Sequence, residues 1–174
     1  QGRLTLSPRA HLDVWGSICM LIAGIGWARP VPVDPRYFKN PKWGMALSAA
    51  AGPVSNLAMA WISAVGMQVC AGFVRGGAGL PPMIALLFFQ TLFYLNLNLA
   101  VFNLLPIPPF DGSRILLVVL PQKLYFRVMR HERLLMLAIF LLLILGVFDP
   151  VLTWLDARLA GLFLWSTGFV GRFF

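Results

Sequence analysis

The stretch Asn103-Leu104-Leu105-Pro106-Ile107-Pro108-Pro109-Phe110-Asp111-Gly112 closes a long apolar run on a carboxylate. Almost every residue from Met83 to Leu105 is apolar, and three prolines then end any helix before Asp111. An ionisable group at the end of a lipid-embedded segment is costly unless it is paired or bound to a metal. Irregular backbone at membrane depth is tolerated only where protein buries it or water reaches it. The stretch therefore predicts a carboxylate on a stiff loop that lines a polar cavity.

The composition indicates an integral membrane protein. Hydrophobic residues make up 59% of the 174 residues, charged residues make up 11%, and the mean hydropathy is +0.81. Soluble domains carry about 25% charged residues, so a water-soluble core could not cover this much apolar surface. The formal charge of +8 lies in short loops between apolar runs, which indicates membrane orientation rather than nucleic-acid binding. Cys19 and Cys70 both lie in apolar runs, which makes a disulfide framework unexpected.

Two apolar runs are long enough to cross a bilayer, which takes about 20 residues. They are Met45–Phe73, with an expected break at Gly52-Pro53, and Met83–Leu105. A third apolar run covers Leu134–Phe148, and a weaker one covers Val151–Phe174. We predict an all-α polytopic membrane protein with three to four transmembrane helices, in which the 174 residues form a single membrane domain.

The N-terminal part predicts a short re-entrant helix or β-strand. Val14–Ile25 is apolar but too short to span the hydrocarbon region, so we expect a partial or re-entrant helix there. Trp27–Val33 carries Pro30 and Pro32, and each proline favours extended geometry in itself and in the residue before it. This segment predicts an edge strand or a polyproline-like loop. Because the chain starts at Gln1 rather than at methionine, we expect a C-terminal fragment of a longer protein.

Loop charges predict the orientation of the spans. Residues 28–44 carry four basic side chains against one acidic side chain, and residues 112–133 carry five against one. Two predicted spans separate these loops, so both lie on the same side of the membrane. The positive-inside rule identifies that side as the cytoplasm. Asp111 is therefore expected toward the cytoplasmic end of its span.

The two histidines do not complete a zinc site. A zincin helix carries His-Glu-x-x-His, in which histidines four residues apart share one helix face. His131-Glu132 starts this pattern, but Leu135 occupies the position of the second histidine, so we expect ordinary loop residues there. We expect His11 to be a packed or capping residue. The 174 residues alone therefore cannot assemble a full set of zinc ligands.

The polar residues of the apolar runs also have ordinary structural explanations. Asp111 is of a type favoured at helix N-caps and could cap a helix that begins near Ser113. Asparagines of the second run, such as Asn96, could hydrogen-bond between helices. Gly52-Pro53 with Asn56 could simply kink a helix. The residues by themselves leave these alternatives open.

Two motifs that occur in order resemble the site-2 protease family of intramembrane zinc metalloproteases. Gly52-Pro53-Val54-Ser55-Asn56 is similar to a G-P-x-x-N element on one span, and Asn103–Gly112 is similar to N-x-x-P-x-P-x-x-D-G near the end of the next. Residues 2–13 and Gly26–Val33 resemble the compact bacterial branch of that family. The resemblance covers residues 1 to about 120. It implies a multi-pass protein of the bacterial inner membrane.

The resemblance implies a role for each motif residue. Asp111 would be a ligand of a catalytic Zn²⁺, together with two histidines of a His-Glu-x-x-His helix that the family carries upstream of this stretch. Asn103 would orient substrate or stabilise the developing oxyanion, and Asn56 would line the same cavity. The implied activity is cleavage of transmembrane segments by zinc-activated water. The 174 residues alone are expected to be inactive, because two ligands and the glutamate base are missing from them.

The implied partners are a transmembrane protein or peptide substrate and the lipid bilayer. A substrate helix must unwind before hydrolysis, because its backbone hydrogen bonds are all satisfied. Trp27, Pro30, Val31 and Val33 could accept the unwound segment by edge pairing. Since Pro30 and Pro32 lack N–H donors, only part of this edge could pair.

Two other functions stay open at this point. A proteolytically dead family member could act as a membrane scaffold or chaperone, and the asparagine and aspartate side chains could line the path of a small transporter component. Against transport, the chain shows no inverted repeat, and its polar residues cluster at one depth beside Asp111. A His-Glu-x-x-His segment encoded upstream of Gln1 would favour the protease over the scaffold.

Overall fold

The computed structural model describes residues 5, 7, 10–23, 33–107, 110–119, 121 and 131–173. The secondary structure of these residues is helical, with two short 3-10 turns at Pro35–Tyr37 and Val170–Phe173. The α-helices are α1 (Val14–Ala23), α2 (Pro41–Arg75), α3 (Leu80–Leu104), α4 (Asp111–Val119), α5 (Glu132–Ile144) and α6 (Asp149–Thr167). The chain divides into two compact units, Gln1–Tyr37 and Phe38–Phe174.

The first unit contains α1, which begins at a side-chain cap. The Gly16 backbone N–H donates to Asp13 Oδ1 over 3.0 Å, an arrangement that satisfies an otherwise unpaired N–H of the first turn. With 10 residues, α1 is too short to cross the hydrocarbon region, in agreement with the partial helix expected there. The edge strand expected at Trp27–Val33 lies outside the described residues, except for Val33, which has no regular secondary structure.

The second unit begins with α2, which runs through Gly52-Pro53 as one helix of 35 residues. The break predicted at this dipeptide is wrong. A proline removes one N–H donor, and neighbouring helices can compensate for one lost bond in a membrane helix. Pro41 lies in the first turn, where its missing N–H has no intrahelical partner to lose. The Trp43 backbone N–H donates to Asn40 Oδ1 over 3.4 Å and caps the helix.

Helix α3 returns antiparallel to α2 after a short turn. Gly77 and Gly79 adopt positive φ values of 78° and 81° in this turn, which a side chain would disfavour. The helix begins three residues before the predicted span Met83–Leu105. The reason is that Pro81 and Pro82 fit the first turn of a helix, where N–H groups need no intrahelical acceptor.

The interface between α2 and α3 combines small residues on α2 with large residues on α3. Phe93 and Leu97 are fully buried in one cluster with Ala60 and Ala64. A Cβ on Gly66 would lie 2.7 Å from the Phe89 ring. Small residues let membrane helices approach closely, and close packing is what holds such helices together.

In the described part of the chain, α2 and α3 are the helices that are long and apolar enough to cross a membrane. They agree with the two strongest predicted spans. The run Leu134–Phe148 forms the 13-residue helix α5 and then turns at Gly146, whose φ is 68°. Helix α6 has 19 residues but a weaker apolar character. The described helices therefore support two spans, and the predicted total of three to four is not confirmed.

Helix α6 packs along the pair formed by α2 and α3. Leu152 lies in a buried cluster with Val101 of α3 and with Leu105, the residue that follows α3. Farther along, the Trp61 indole N–H of α2 donates to Ser166 Oγ over 3.2 Å. Through these contacts α6 packs against α3 near its N-terminal end and against α2 near its C-terminal end.

Candidate functional site

Asp111 lies beside the first half of α2. It is the first residue of α4, and its Oδ2 atom is 3.6 Å from the position that a Cβ on Gly52 would take. The Asp111 side chain is half-buried, and α4 packs against α2 in this region. The structure thus brings Asp111 of the second motif beside Gly52 of the first, although the two residues are distant in sequence.

Gly112 allows α4 to begin directly against the end of α3. It is buried, and a Cβ on it would lie 2.5 Å from the Leu105 carbonyl oxygen. The next residue, Ser113, is also buried, and its hydroxyl donates to the Phe110 carbonyl oxygen over 2.7 Å. Because backbone atoms cannot move aside as a flexible side chain can, this approach fixes where Asp111 stands relative to α3.

Asp111 is not the N-cap of a helix that begins near Ser113. Helix α4 begins at Asp111 itself, two residues earlier than that alternative requires. Among the described residues, the Asp111 carboxylate accepts no hydrogen bond from a backbone N–H. The first turn of a helix still favours a negative charge through its dipole. The carboxylate therefore keeps its acceptor positions for a partner outside its own helix.

The two asparagines of the motifs lie on α2 and α3. Asn56 is half-buried on α2 and lies one turn after Gly52, so both face the same side of that helix. Asn103 is half-buried in the last turn of α3. Asn96 differs from both, because it is buried and its side-chain amide donates to the Leu92 carbonyl oxygen of its own helix over 2.8 Å.

The described residues supply one candidate zinc ligand rather than a full set. They contain no group of three or more His, Cys, Asp or Glu side chains that could hold a metal ion. His11, in the first unit, has its Nε2 atom 2.9 Å from the Thr5 carbonyl oxygen. His131 is exposed where α5 begins, and Cys70 is buried and free. A catalytic zinc takes three protein ligands and one water, so Asp111 fits as one of the three.

The predicted substrate-docking residues receive no test from the structure. Trp27, Pro30 and Val31 lie outside the described residues. Val33 is 38% exposed and belongs to the first unit. The electrostatics near it come from an exposed ion pair, in which the Arg36 guanidinium donates to the Asp34 carboxylate over 2.8 Å. This hydrogen bond keeps the pKa of Asp34 below its ordinary value.

Gly52 and Gly112 are the site residues whose contribution the sequence analysis did not assign. Gly52 was expected to break or kink its helix, and Gly112 was treated only as part of the motif. The structure uses both as places of close approach. A glycine inside a helix destabilises the helix by about 0.5–1 kcal/mol relative to alanine. A glycine that a helical motif keeps despite this loss indicates a position where a side chain does not fit well, and this reasoning could have identified both residues.

Comparison with known proteins places the chain in a family. The family model described as peptidase family M50 matches residues 26–146, a range that contains both motifs. No solved structure matches the chain.

Two curated proteins described as "Putative zinc metalloprotease" are similar to the chain. YwhC of Bacillus subtilis (strain 168) is 47% identical over 129 residues, which are 70% of this chain and 55% of that protein. A protein of Methanocaldococcus jannaschii is 40% identical over 70 residues, which are 39% of this chain and 31% of that protein. The chain thus spans little more than half the length of the first relative. Because the family model matches most of the chain, and both motifs lie within the match, the chain belongs to peptidase family M50, the site-2 protease family.

Proposed function

We propose that this chain is part of a zinc metalloprotease of the site-2 type that cleaves transmembrane segments of membrane proteins. The observation that carries the proposal is the half-buried Asp111 carboxylate beside Gly52. It joins the two motifs of the family in one place and leaves a carboxylate without a backbone hydrogen bond among the described residues. The names of both relatives support the zinc metalloprotease activity.

Asp111 would hold a catalytic Zn²⁺ through a carboxylate oxygen. Bound zinc supplies an activated water and polarises the scissile carbonyl. Two histidine ligands and a glutamate base would come from a segment outside these 174 residues, because their sequence contains no His-Glu-x-x-His. We therefore propose that the 174 residues alone are inactive.

Residues of this chain would bind and orient the substrate next to that ion. The Asn103 side-chain amide would donate a hydrogen bond to the scissile carbonyl and stabilise negative charge as it develops on the oxygen. Asn56 would line the cavity from α2. Gly52, which has no side chain, would leave room between α2 and the carboxylate, so that the substrate backbone can approach.

The proposed location is a bacterial inner membrane, with Asp111 toward the cytoplasm. Gly52 follows Lys42 by ten residues, or roughly 15 Å along a helix. A carboxylate at this depth lies below the headgroups and still close to one membrane surface, from which water could reach it. We propose a single membrane domain of three to four spans, of which α2 and α3 are two.

Unwound substrate would dock along Trp27–Val33. Extended backbone in this segment could pair with the substrate edge and deliver the scissile bond to the site. Cross-linkers placed at Trp27, Val31 and Val33 of the complete protein are expected to capture substrate. Failure of all three to capture substrate that the enzyme nevertheless cleaves would exclude this segment as the docking element.

The test of the proposed function uses the complete protein in vesicles with a co-reconstituted single-span substrate. Chelation is expected to stop cleavage, and added Zn²⁺ is expected to restore it. Asp111→Asn, which keeps the size of the side chain but removes its charge, is expected to lose both zinc and cleavage. Asp149→Asn is the matched control, because Asp149 is an exposed carboxylate at the start of α6. Full zinc content and cleavage in Asp111→Asn would remove Asp111 from the zinc site. A complete wild-type protein that shows no zinc-dependent cleavage would leave the membrane scaffold as the better account.

A further inference from the structure

Two lysines and a tryptophan are exposed around the first residue of α2. Lys39 and Lys42 are exposed, and Trp43 keeps 60% of its surface accessible. In the described part of the chain, the salt bridge found is the one between Arg36 and Asp34. Neither lysine therefore has an acidic partner among these residues, and both ammonium groups are available to an external anion.

The turn that carries the two lysines is fixed by its own contacts. The Trp43 N–H donates to the Asn40 side chain over 3.4 Å, and the Gly44 N–H donates to the Asn40 carbonyl oxygen over 2.9 Å. The Phe38 ring lies over Gly44, so close that a Cβ there would clash with the ring. These contacts hold the backbone beside Lys39 and Lys42, which lowers the entropic cost of binding one ligand with both side chains.

The length of α2 places this turn at the level of the lipid headgroups. Between Lys42 and Arg75 the helix has no charged residue, and a helix of this length spans roughly 50 Å. A bilayer including its headgroup layers is about 40–45 Å thick, and a tilt of about 20° is ordinary for a membrane helix. Both charged ends of α2 then lie among headgroups. An indole ring next to a lysine is typical of that layer.

We propose that Lys39, Lys42 and Trp43 form a binding site for anionic phospholipid headgroups. The two ammonium groups would bind the phosphate diester as point charges, and the Trp43 ring would cover the glycerol region above the acyl chains. The cytoplasmic leaflet of a membrane carries the anionic lipids that this charge attracts. This inference concerns how the chain is seated in the bilayer, and it does not depend on the proteolytic function.

The test measures which lipid stands beside Trp43. The complete protein is reconstituted in vesicles of equal parts phosphatidylglycerol and phosphatidylcholine, with bromine on the acyl chains of one lipid at a time. Trp43 fluorescence is obtained as the difference between the wild type and Trp43→Phe. We expect brominated phosphatidylglycerol to quench Trp43 at least twofold more than brominated phosphatidylcholine.

Variants separate the site from a general effect of charge. The double variant Lys39→Gln/Lys42→Gln is expected to reduce the quenching ratio to about one, whereas Lys39→Arg/Lys42→Arg is expected to keep it. The matched control is Arg75→Gln/Arg172→Gln, which also removes two charges but leaves Lys39 and Lys42 in place, and it is expected to keep the preference. Equal quenching by both lipids in the wild type would overturn the proposal, and so would a preference that survives the lysine-to-glutamine change.

Added salt distinguishes a headgroup site from a free-phosphate site. Sodium chloride is expected to lower the preference for phosphatidylglycerol, because ions screen exposed charges. Inorganic phosphate at the same ionic strength is expected to have no larger effect than chloride. A specific loss of the preference in phosphate would contradict the proposal and indicate a site for soluble phosphate.

Discussion

Asp111 Oδ2 stands 3.6 Å from the point at which a side chain on Gly52 would begin. This distance is that of an ordinary van der Waals contact, so the first half of α2 forms one wall around the carboxylate. The chain is an integral membrane protein of the site-2 protease family, and the contact joins α4 to one of its two candidate spans. The consequences of this contact can be tested by substituting Gly52 and Asp111 separately.

Side chains of increasing size at Gly52 should reduce activity in steps. Gly52→Ala is expected to keep most of the cleavage, because its Cβ would meet Asp111 Oδ2 at ordinary contact distance. Gly52→Val is expected to lower cleavage by tenfold or more, because branched methyl groups would crowd the carboxylate. Gly161→Val is the matched control, since a Cβ on Gly161 has nothing within 4 Å. Equal effects of valine at both positions would show that helix propensity alone explains the loss.

Gly112→Ala should destabilise the second unit and displace Asp111. The added Cβ would lie 2.5 Å from the Leu105 carbonyl oxygen, and forcing extra atoms into a packed site costs about 1–3 kcal/mol. The measurement is the free energy of unfolding in mixed micelles, with Gly161→Ala as the control that removes the same glycine flexibility at an open site. Unchanged stability of Gly112→Ala would mean that α4 does not approach α3 this closely.

The hydrogen bond from Trp61 to Ser166 should contribute a modest amount to the attachment of α6. Trp61→Phe and Ser166→Ala each remove one partner of the 3.2 Å bond, and a typical intramolecular hydrogen bond contributes about 0.5–1.5 kcal/mol. A double-mutant cycle measures the coupling between the two side chains. We expect a coupling energy in that range. A coupling energy of zero would place α6 away from this side of α2.

Phe93→Ala should be far more destabilising than the same change at Phe88. Phe93 is fully buried between α2, α3 and α6, and truncating a buried phenylalanine costs about 3–5 kcal/mol. Phe88 is 61% exposed within the protein, so its truncation leaves no cavity inside the helix packing. Thermal unfolding in lipid nanodiscs compares the two variants. Similar losses at both positions would contradict the packing of α3 described above.

The sequence predicted α2 and α3 well, because a run of more than 20 apolar residues usually forms a membrane-spanning helix. The prediction of a break at Pro53 was wrong. Proline removes one backbone hydrogen bond, but the remaining hydrogen bonds and the packing of a 35-residue helix keep the helix continuous. The sequence also could not predict that Leu134–Phe148 forms a 13-residue helix, because hydropathy measures the length of an apolar run and not where the backbone turns. Gly146, with its positive φ, makes that turn.

For the site, the motif resemblance predicts roles for Asp111, Asn56 and Asn103, but no feature of the residues alone predicts that Asp111 lies beside Gly52. The meeting of Asp111 with Gly52 depends on where α4 packs against α2. That packing depends in turn on the contact of Gly112 with the end of α3. Contacts of this kind arise from the relative placement of whole helices, and a sequence pattern describes each helix by itself.

The most direct test of the central claim is X-ray absorption spectroscopy at the zinc edge of the complete protein. The account predicts one oxygen ligand from a carboxylate at about 2.0–2.2 Å beside nitrogen ligands from histidine. It also predicts that Asp111→Asn loses most of its zinc and that any zinc it retains lacks this oxygen, whereas Asp149→Asn keeps both. An identical zinc coordination shell in the wild type and in Asp111→Asn would contradict the assignment of Asp111 as a zinc ligand.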